Sequence, residues 1–371
     1  VSEENGTNGS PRPGRLKRYL RRTVLALLVL VVAAAIVGAS YEAIKNSSDA
    51  RRFPQQGKSV SLGPDFGNLK LNIDCQGQGS PTVVLDSGLG VPGVGWNRVQ
   101  AEAAKFTRVC WYDRAGYGWS EASSAPRTSL QIAKELHVLL AAAGEKGPFV
   151  LAGHSFGGYN VRVYNGQYPA EVAGMVLVDA SHEDQGDREP PALQAMMRDY
   201  QKSLKRQAMW APLLIRLGFT RFGQRGEAGG PGVSKDFAKE MQYLQLQPKY
   251  VEATTEEMEL FSLESANEVR AAGNLGDKPL IVLTAGKNVD ASQLPAQIPE
   301  QQMDDFHNVW VNELQVKETH LSTRGKQIIV PDSDHMIPFE RPDAIVDALR
   351  QVCAAVNADG KSSATEKASG G

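Results

Sequence analysis

The stretch that most constrains this chain is Val150-Leu-Ala-Gly-His-Ser-Phe-Gly-Gly158, an apolar run that breaks into Gly153-His-Ser-Phe-Gly157 and then turns amphipathic. Gly-x-Ser-x-Gly at the end of an apolar run predicts a sharp turn from strand to helix that holds Ser155 in a strained backbone conformation. Gly153, Gly157 and Gly158 then supply space where a side chain would clash. Ser155 stands exposed at the start of the helix, and the next backbone N–H, that of Phe156, points to where an oxyanion would form. Pro148 to Ala152 supply the strand before the turn, and Tyr159 to Tyr168 the helix after it.

In this strand-turn-helix context the motif resembles the nucleophile elbow of the α/β-hydrolase superfamily. The likeness covers roughly residues 60–356. It implies an α/β fold, a mostly parallel central sheet flanked by helices with an inserted helical cap. The pattern of the chain agrees. Ser59 to Gly63 and Leu69 to Cys75 read as a leading antiparallel pair, and Thr82-Val-Val-Leu-Asp86 as a buried strand. The loop Ser87-Gly-Leu-Gly90 follows where the superfamily has its second oxyanion donor, which the resemblance assigns to the N–H of Leu89; the alternative is that Gly88 and Gly90 are only turn residues. Asp113-Arg-Ala-Gly-Tyr-Gly-Trp-Ser120 resembles the D-x-x-G-x-G-x-S loop of the superfamily, so Asp113 and Arg114 read as parts of a structural turn rather than as catalytic groups. Thr128-Ser-Leu-Gln131 forms a capping box that opens a helix with apolar residues at helical spacing, stopped by Gly144.

After Val172 to Asp179 the alternation of strand and helix stops, and it resumes at Lys278 to Gly286. The intervening segment, about 181–275, carries helical stretches rich in Met, Trp, Leu and Phe and is the expected cap. Such a cap points to a small-molecule substrate with an apolar acyl part, because the pocket it closes is mostly hydrophobic. The alternative is that these residues only pack the cap on the core. A helix over Gln301 to Thr319, a strand over Lys326 to Pro331 and a helix from Arg341 to Val356 complete the unit.

A serine hydroxyl is a poor nucleophile at neutral pH and needs a base within hydrogen-bond reach and a third group to fix that base. The resemblance implies the order Ser, acid, His, with His335 on the loop after the last strand as the base. His154 adjoins the nucleophile but faces away from it in this turn. His137, His182, His307 and His320 fit helix or cap packing. Two carboxylates compete as the acid: Asp179 at the end of a strand, and Asp290 on the loop after Gly286, while Asp184 and Asp334 fit less well. The expected chemistry is hydrolysis of a carboxylic ester through an acyl-enzyme, with no cofactor. Peptidase, lactonase, acyltransferase or perhydrolase chemistry on the same residues, and a non-catalytic binding module of the same fold, are the alternatives. Ser at the elbow speaks against the Asp-nucleophile chemistry of dehalogenases and epoxide hydrolases.

Forty Lys and Arg against 42 Asp and Glu give a net charge of −2, which leaves no global field to attract nucleic acid. The charge is distributed unevenly at the start. Positions 1–22 are polar and basic, with Arg12, Arg15, Lys17, Arg18, Arg21 and Arg22, and an uncharged run follows from Thr23 to Tyr41; at 1.5 Å per residue it would extend roughly 28 Å, close to a bilayer's hydrocarbon thickness. A single transmembrane helix with the N-terminus cytoplasmic and the remainder extracytoplasmic is expected. Cleavage of a signal peptide near Val37-Gly-Ala39, giving a secreted protein, is the alternative. Residues 42–58 read as a polar linker, 59–356 as the hydrolase-like domain and 357–371 as a disordered tail. No metal-ligand spacing appears among Cys and His. In the implied sheet the strands of Cys75 and Cys110 are neighbours, so the two can form a disulfide; three buried free thiols, with Cys353, are the other reading.

Overall fold

The computed structural model describes residues 13–223, 233–288 and 298–369. A single eight-stranded sheet runs in the order β1-β2-β4-β3-β5-β6-β7-β8. Its strands are β1 (Lys58–Ser61), β2 (Lys70–Gln76), β3 (Thr82–Asp86), β4 (Val109–Tyr112), β5 (Phe149–His154), β6 (Val172–Val178), β7 (Leu280–Ala285) and β8 (Gly325–Val330). β2 is antiparallel to both neighbours, and every pairing from β4 across to β8 is parallel. Parallel strands need helical crossovers that cover both faces, which is why β3, β4, β5 and β7 are apolar runs buried at every position.

Alternate residues of these strands divide between two cores. Val84 and Leu151 face one side, against α3 (Ser129–Ala143) and α4 (Phe156–Gln167). Val83 and Val150 face the other, against α2 (Asn97–Ala103) and α14 (Pro342–Ser369). The start of α3 uses half of the expected capping box: Thr128 Oγ1 accepts from the N–H of Gln131, but the Gln131 amide turns forward to Glu135.

Between β6 and β7 lies the cap: α5 (Gln185–Arg188), α6 (Pro191–Arg216), α7 (Phe219–Gly223), α8 (Lys235–Gln245), α9 (Pro248–Leu260), a π-helical turn (Phe261–Ser265) and α10 (Ala266–Ala271). The connection from β7 to β8 ends in α11 (Glu300–Val309), a second π-helical turn (Trp310–Leu314) and α12 (Gln315–Thr319), so the helix expected over 301–319 is present but widened in its middle. After β8 come α13 (Ile337–Glu340) and α14.

The N-terminal helix α1 runs Pro13–Arg52, and its side chains from Val24 to Val37 are largely exposed. Two expectations about the ends of the chain are corrected. Residues 42–52, read as part of a linker, continue α1 and dock on the cap: Arg221 binds Glu42 at 2.7 Å and Asp49 at 2.6 Å, Arg52 binds Asp236 at 2.7 Å, and Gln247 reaches Asn46 at 3.0 Å. Residues 357–369, read as disordered, continue α14. Neither segment contains a proline, and extending a helix that is already nucleated costs far less than starting one.

Cys75 and Cys110 stand opposite each other in the β2–β4 ladder and form a disulfide, while Cys353 is free and buried. The pairing implied by neighbouring strands is therefore the one found.

Candidate active site

β5 ends at His154 and α4 begins at Phe156, which leaves Ser155 alone in the turn with φ 51° and ψ −122°, a left-handed conformation that L side chains rarely adopt. The turn holds because its surroundings leave no other path. The Ser155 N–H continues the β5–β6 ladder to the Val178 carbonyl, and the Ser155 carbonyl accepts from Ser181 and Gly158. A Cβ on Gly157 would lie 2.3 Å from the Asp86 carbonyl oxygen, so glycine is required there for α4 to approach the end of β3. Within the run from Phe149 to Asn165, Ser155 alone is not buried.

The end of β6 supplies the carboxylate. Asp179, at φ 40°, follows the last residue of the strand and is itself buried. Its Oδ1 accepts from the N–H of Ala285, at the end of β7, and from Trp310 Nε1, each at 2.9 Å. Its Oδ2 lies 2.6 Å from His335 Nδ1. Burial alone would raise the pKa of Asp179, but the hydrogen bonds and charge of His335, with those of Trp310 and Ala285, outweigh it and hold the carboxyl below its ordinary value. For His335, desolvation pulls the imidazole down and Asp179 pulls it up more strongly, so its pKa lies above the ordinary value. One edge of that ring stays open, with the side chain 41% exposed.

His154 has a part that its place in the motif did not reveal. Its Nε2 lies 2.8 Å from the His335 carbonyl oxygen, and the two rings are 4.8 Å apart. Burial and the neighbouring His335 depress the His154 pKa to about 3, so the ring is neutral and the nitrogen facing the carbonyl carries the proton. His154 thus pins the loop that bears His335 to the elbow that bears Ser155. Its other nitrogen faces the loop after β3: a Cβ on Gly88 would come within 2.9 Å of His154 Nδ1 and 3.2 Å of Ser155 Cβ.

That loop, Ser87 to Gly90, is held from below by Arg114. The guanidinium donates to the Ser87 carbonyl at 2.6 Å and the Gly88 carbonyl at 3.1 Å, while pairing with Asp86 and, through Nε and Nη2, with both oxygens of Glu257 on α9. Tyr117 accepts from the Gly90 N–H, and Tyr250 of the cap donates to the Gly90 carbonyl. Asp113 accepts from Gly93, Trp119 and Asn72. The Asp113–Ser120 segment is therefore a structural turn, as its sequence suggests, and Arg114 acts through the loop it carries.

Leu89, Ser155 and Phe156 line one cavity of about 400 Å³. Its apolar wall comes from Tyr159 on α4 and from Met197, Met258, Phe261 and Leu263 of the cap, and Phe261 stacks on Tyr159 at 5.1 Å. Glu183, Asp187, Glu189 and Arg270 add polar groups, so the cavity is more mixed than the cap composition suggests. His335, Asp179 and Trp310 line an adjoining cavity of about 200 Å³ that shares Gln185 and Glu189 with the first. Asp290 lies outside the described residues. Among the described residues, one group of His, Cys and acidic side chains is close enough to share a metal ion, Cys75, Cys110 and Glu145, and its two cysteines are joined in the disulfide.

The model of the alpha/beta hydrolase family matches residues 83–348. The chain belongs to the alpha/beta hydrolase family. It is 28% identical to the uncharacterized protein YbdG of Bacillus subtilis over 157 residues, 42% of this chain and 46% of that protein, so it spans less than half of that relative. This hydrolase also shares its fold with solved structures. A putative epoxide hydrolase mutant from Pseudomonas aeruginosa superposes with a TM-score of 0.61 at 19% identity, over 81% of this chain and 96% of the other. An esterase from Thermogutta terrifontis superposes with a TM-score of 0.54 at 21% identity, over 81% and 99%.

Sequence reasoning missed Trp310, the Ala285 N–H, His154 as a brace and Glu257 as the partner of Arg114. Trp310 offered no signal beyond being an aromatic on a helix, and Glu257 looked like one more acid in an acidic helix. The β7 register that brings Ala285 to Asp179 exists only in three dimensions.

Proposed function

We propose that this hydrolase is a membrane-anchored serine hydrolase that cleaves carboxylic esters through Ser155, His335 and Asp179. Ser155 Oγ attacks the carbonyl carbon as His335 Nε2 takes its proton, and the N–H groups of Phe156 and Leu89 hold the oxyanion. Collapse breaks the bond to the leaving oxygen, which receives the proton from His335. Water then attacks the acyl-enzyme by the same route in reverse, giving the acid and free Ser155. Asp179 keeps the imidazole in the tautomer whose Nε2 is free to accept.

The observation that carries this reading is the 2.6 Å contact of His335 Nδ1 with a carboxylate fixed by two further donors, on a loop that His154 ties to the Ser155 turn. A serine at the elbow supports ester chemistry over the reaction named for the epoxide hydrolase neighbour. The apolar part of the cavity suits an acyl chain, and its acidic and basic groups suit a polar leaving group. For the anchor, α1 is long and apolar enough to cross a membrane, and basic residues precede its apolar stretch. The disulfide suits an oxidising compartment outside the cytoplasm.

The test is labelling of the full chain by a fluorophosphonate probe, with turnover of p-nitrophenyl esters. Wild type is expected to label and Ser155→Ala to lose labelling entirely. Asp179→Asn is expected to lower kcat by about 10⁴-fold, the scale of other triads that lose their acid, while Asp290→Asn stays near wild type. Loss in Asp290→Asn with Asp179→Asn unaffected would transfer the role to the loop.

A further inference from the structure

The cap carries an exposed apolar patch at the end farthest along α6 from the cavity. Met209 is 70% exposed, Trp210 59%, Leu213 49%, Leu214 41% and, on α7, Phe219 56%. Five large apolar side chains within eleven residues make a surface that a water-facing helix does not keep without an occupant. Its position names one. Where α6 gives way to α7, Leu217 and Gly218 pack backbone to backbone on Gly38 of α1: a Cβ on Gly38 would lie 2.2 Å from the Leu217 oxygen, and one on Gly218 would lie 2.9 Å from the Gly38 oxygen.

Gly38 is in the last turn of the apolar run Thr23 to Tyr41. The junction of α6 and α7 is therefore level with the outer end of the membrane segment. Leu213 and Leu214 are about one turn, roughly 6 Å, from Leu217, and Phe219 is two residues away, so they stay near that level however α6 tilts. The polar contacts between cap and α1 lie on the other side of Gly38. Arg221 with Glu42 and Asp49, Gln247 with Asn46, and Arg52 with Asp236 all fall beyond the apolar run. Apolar groups at the boundary, a Trp among them and ion pairs outside it, are the arrangement of an interfacial helix.

We propose that the α6–α7 end of the cap lies in the outer interfacial layer of the bilayer that α1 crosses, with Trp210, Leu213, Leu214 and Phe219 in contact with lipid. This rests on reading α1 as a membrane span. Because α6 also places Met197 and Gln201 on the cavity wall, one helix joins the lipid surface to the substrate site.

The full chain is reconstituted in phosphatidylcholine and phosphatidylglycerol nanodiscs, and nitroxides are attached at Leu213→Cys, at Leu30→Cys in the middle of α1 and at Lys105→Cys on the exposed surface. Buried Cys353 and the disulfide cysteines leave the added thiol as the reactive one. Collisions with oxygen relative to a water-soluble nickel chelate are expected to be severalfold higher at Leu213 than at Lys105, and to fall below those at Leu30, as an interfacial depth requires. If Leu30 reads as lipid and Leu213 as water, the cap does not touch the bilayer and the proposal is overturned. If Leu213 is inaccessible to both colliders, protein such as a second copy covers the patch, which also overturns it. If Leu30 itself reads as water, the membrane reading fails and takes the proposal with it. A second measurement needs no label: the fluorescence lost between wild type and Trp210→Phe is expected to be quenched by lipids brominated near the carbonyl end of the acyl chain, and quenching by aqueous iodide instead would count against the proposal.

Discussion

Asp179 spends one oxygen on His335 and the other on two donors, and that division decides how the imidazole titrates. In the proposed mechanism the base must be neutral to accept the proton of Ser155, so activity is expected to appear as pH rises through the His335 pKa. Asp179 raises that pKa, so the acidic limb of kcat/KM is expected above about 6.5, the ordinary histidine value. In Asp179→Asn the raising charge is gone while desolvation remains, so whatever activity survives should show its acidic limb at lower pH; a limb that stays in place would remove Asp179 from the base's surroundings. Trp310 is a positioning residue by the same geometry. A hydrogen bond to a charged group is worth about 1.5–3 kcal/mol, and Ala285 remains as a donor, so Trp310→Phe is expected at the lower end, with kcat about tenfold down. The acidic limb should move as well, to higher pH, because a carboxylate that has lost one of its donors directs more of its charge to the imidazolium. A purely structural role for Trp310 would cost stability and leave the limb unmoved.

The loop after β3 and helix α9 of the cap are coupled through one buried cation. Arg114, 3% exposed, carries the carbonyls of Ser87 and Gly88 on one side and the Glu257 carboxylate on the other. In Glu257→Ala, Arg114 keeps Asp86 but its Nε and Nη2 lose their carboxylate in a buried site, so the variant is expected to destabilise the fold by about 3 kcal/mol, the low end for breaking a buried pair, read as a lower urea midpoint. It should also lower kcat by loosening the Leu89 loop, even though Glu257 lies outside the reacting groups; unchanged kcat in a destabilised variant would separate the cap from the loop. At this scale much was legible before any coordinates. β3 and β4 begin and end where their apolar runs do, and the segment without strands between β6 and β7 is the cap. The Asp113–Ser120 turn is structural because its Gly and Ser pattern encodes local bonding. The two π-helical turns were not legible. Each sits at the cavities, Phe261 against Tyr159 and Trp310 against Asp179, and an extra residue per turn leaves no mark on a periodicity read by eye.

Across the whole molecule, the place of the cap follows from the run of strands, and the pairing of Cys75 with Cys110 follows once β2 and β4 are neighbours, as the family resemblance implies. What the sequence could not supply is which carboxylate meets His335, because that depends on how β6 and β7 twist past each other. Nor could it show that α1 continues as helix past the apolar run and locks to the cap, since both partners of each bond are ordinary polar residues far apart in the chain. The disulfide spans a separation of 35 residues, and the chain-entropy account makes it worth about 4 kcal/mol to the hydrolase domain. Cys75→Ala with Cys110→Ala is expected to lower the urea midpoint accordingly, and reduction of wild type should match the double variant. A residue such as Arg52 lies eleven positions beyond Tyr41, which on an unbroken helix is a stem of about 16 Å. If α1 spans a membrane as proposed, a flexible leash would let the domain sample all depths near it. A stem bolted to the cap would instead give it a fixed altitude and a fixed facing, so that it would search for substrate in two dimensions, at the lipid surface, and insertion or deletion of a few stem residues would change which molecules it can reach without altering a single residue of the cavity.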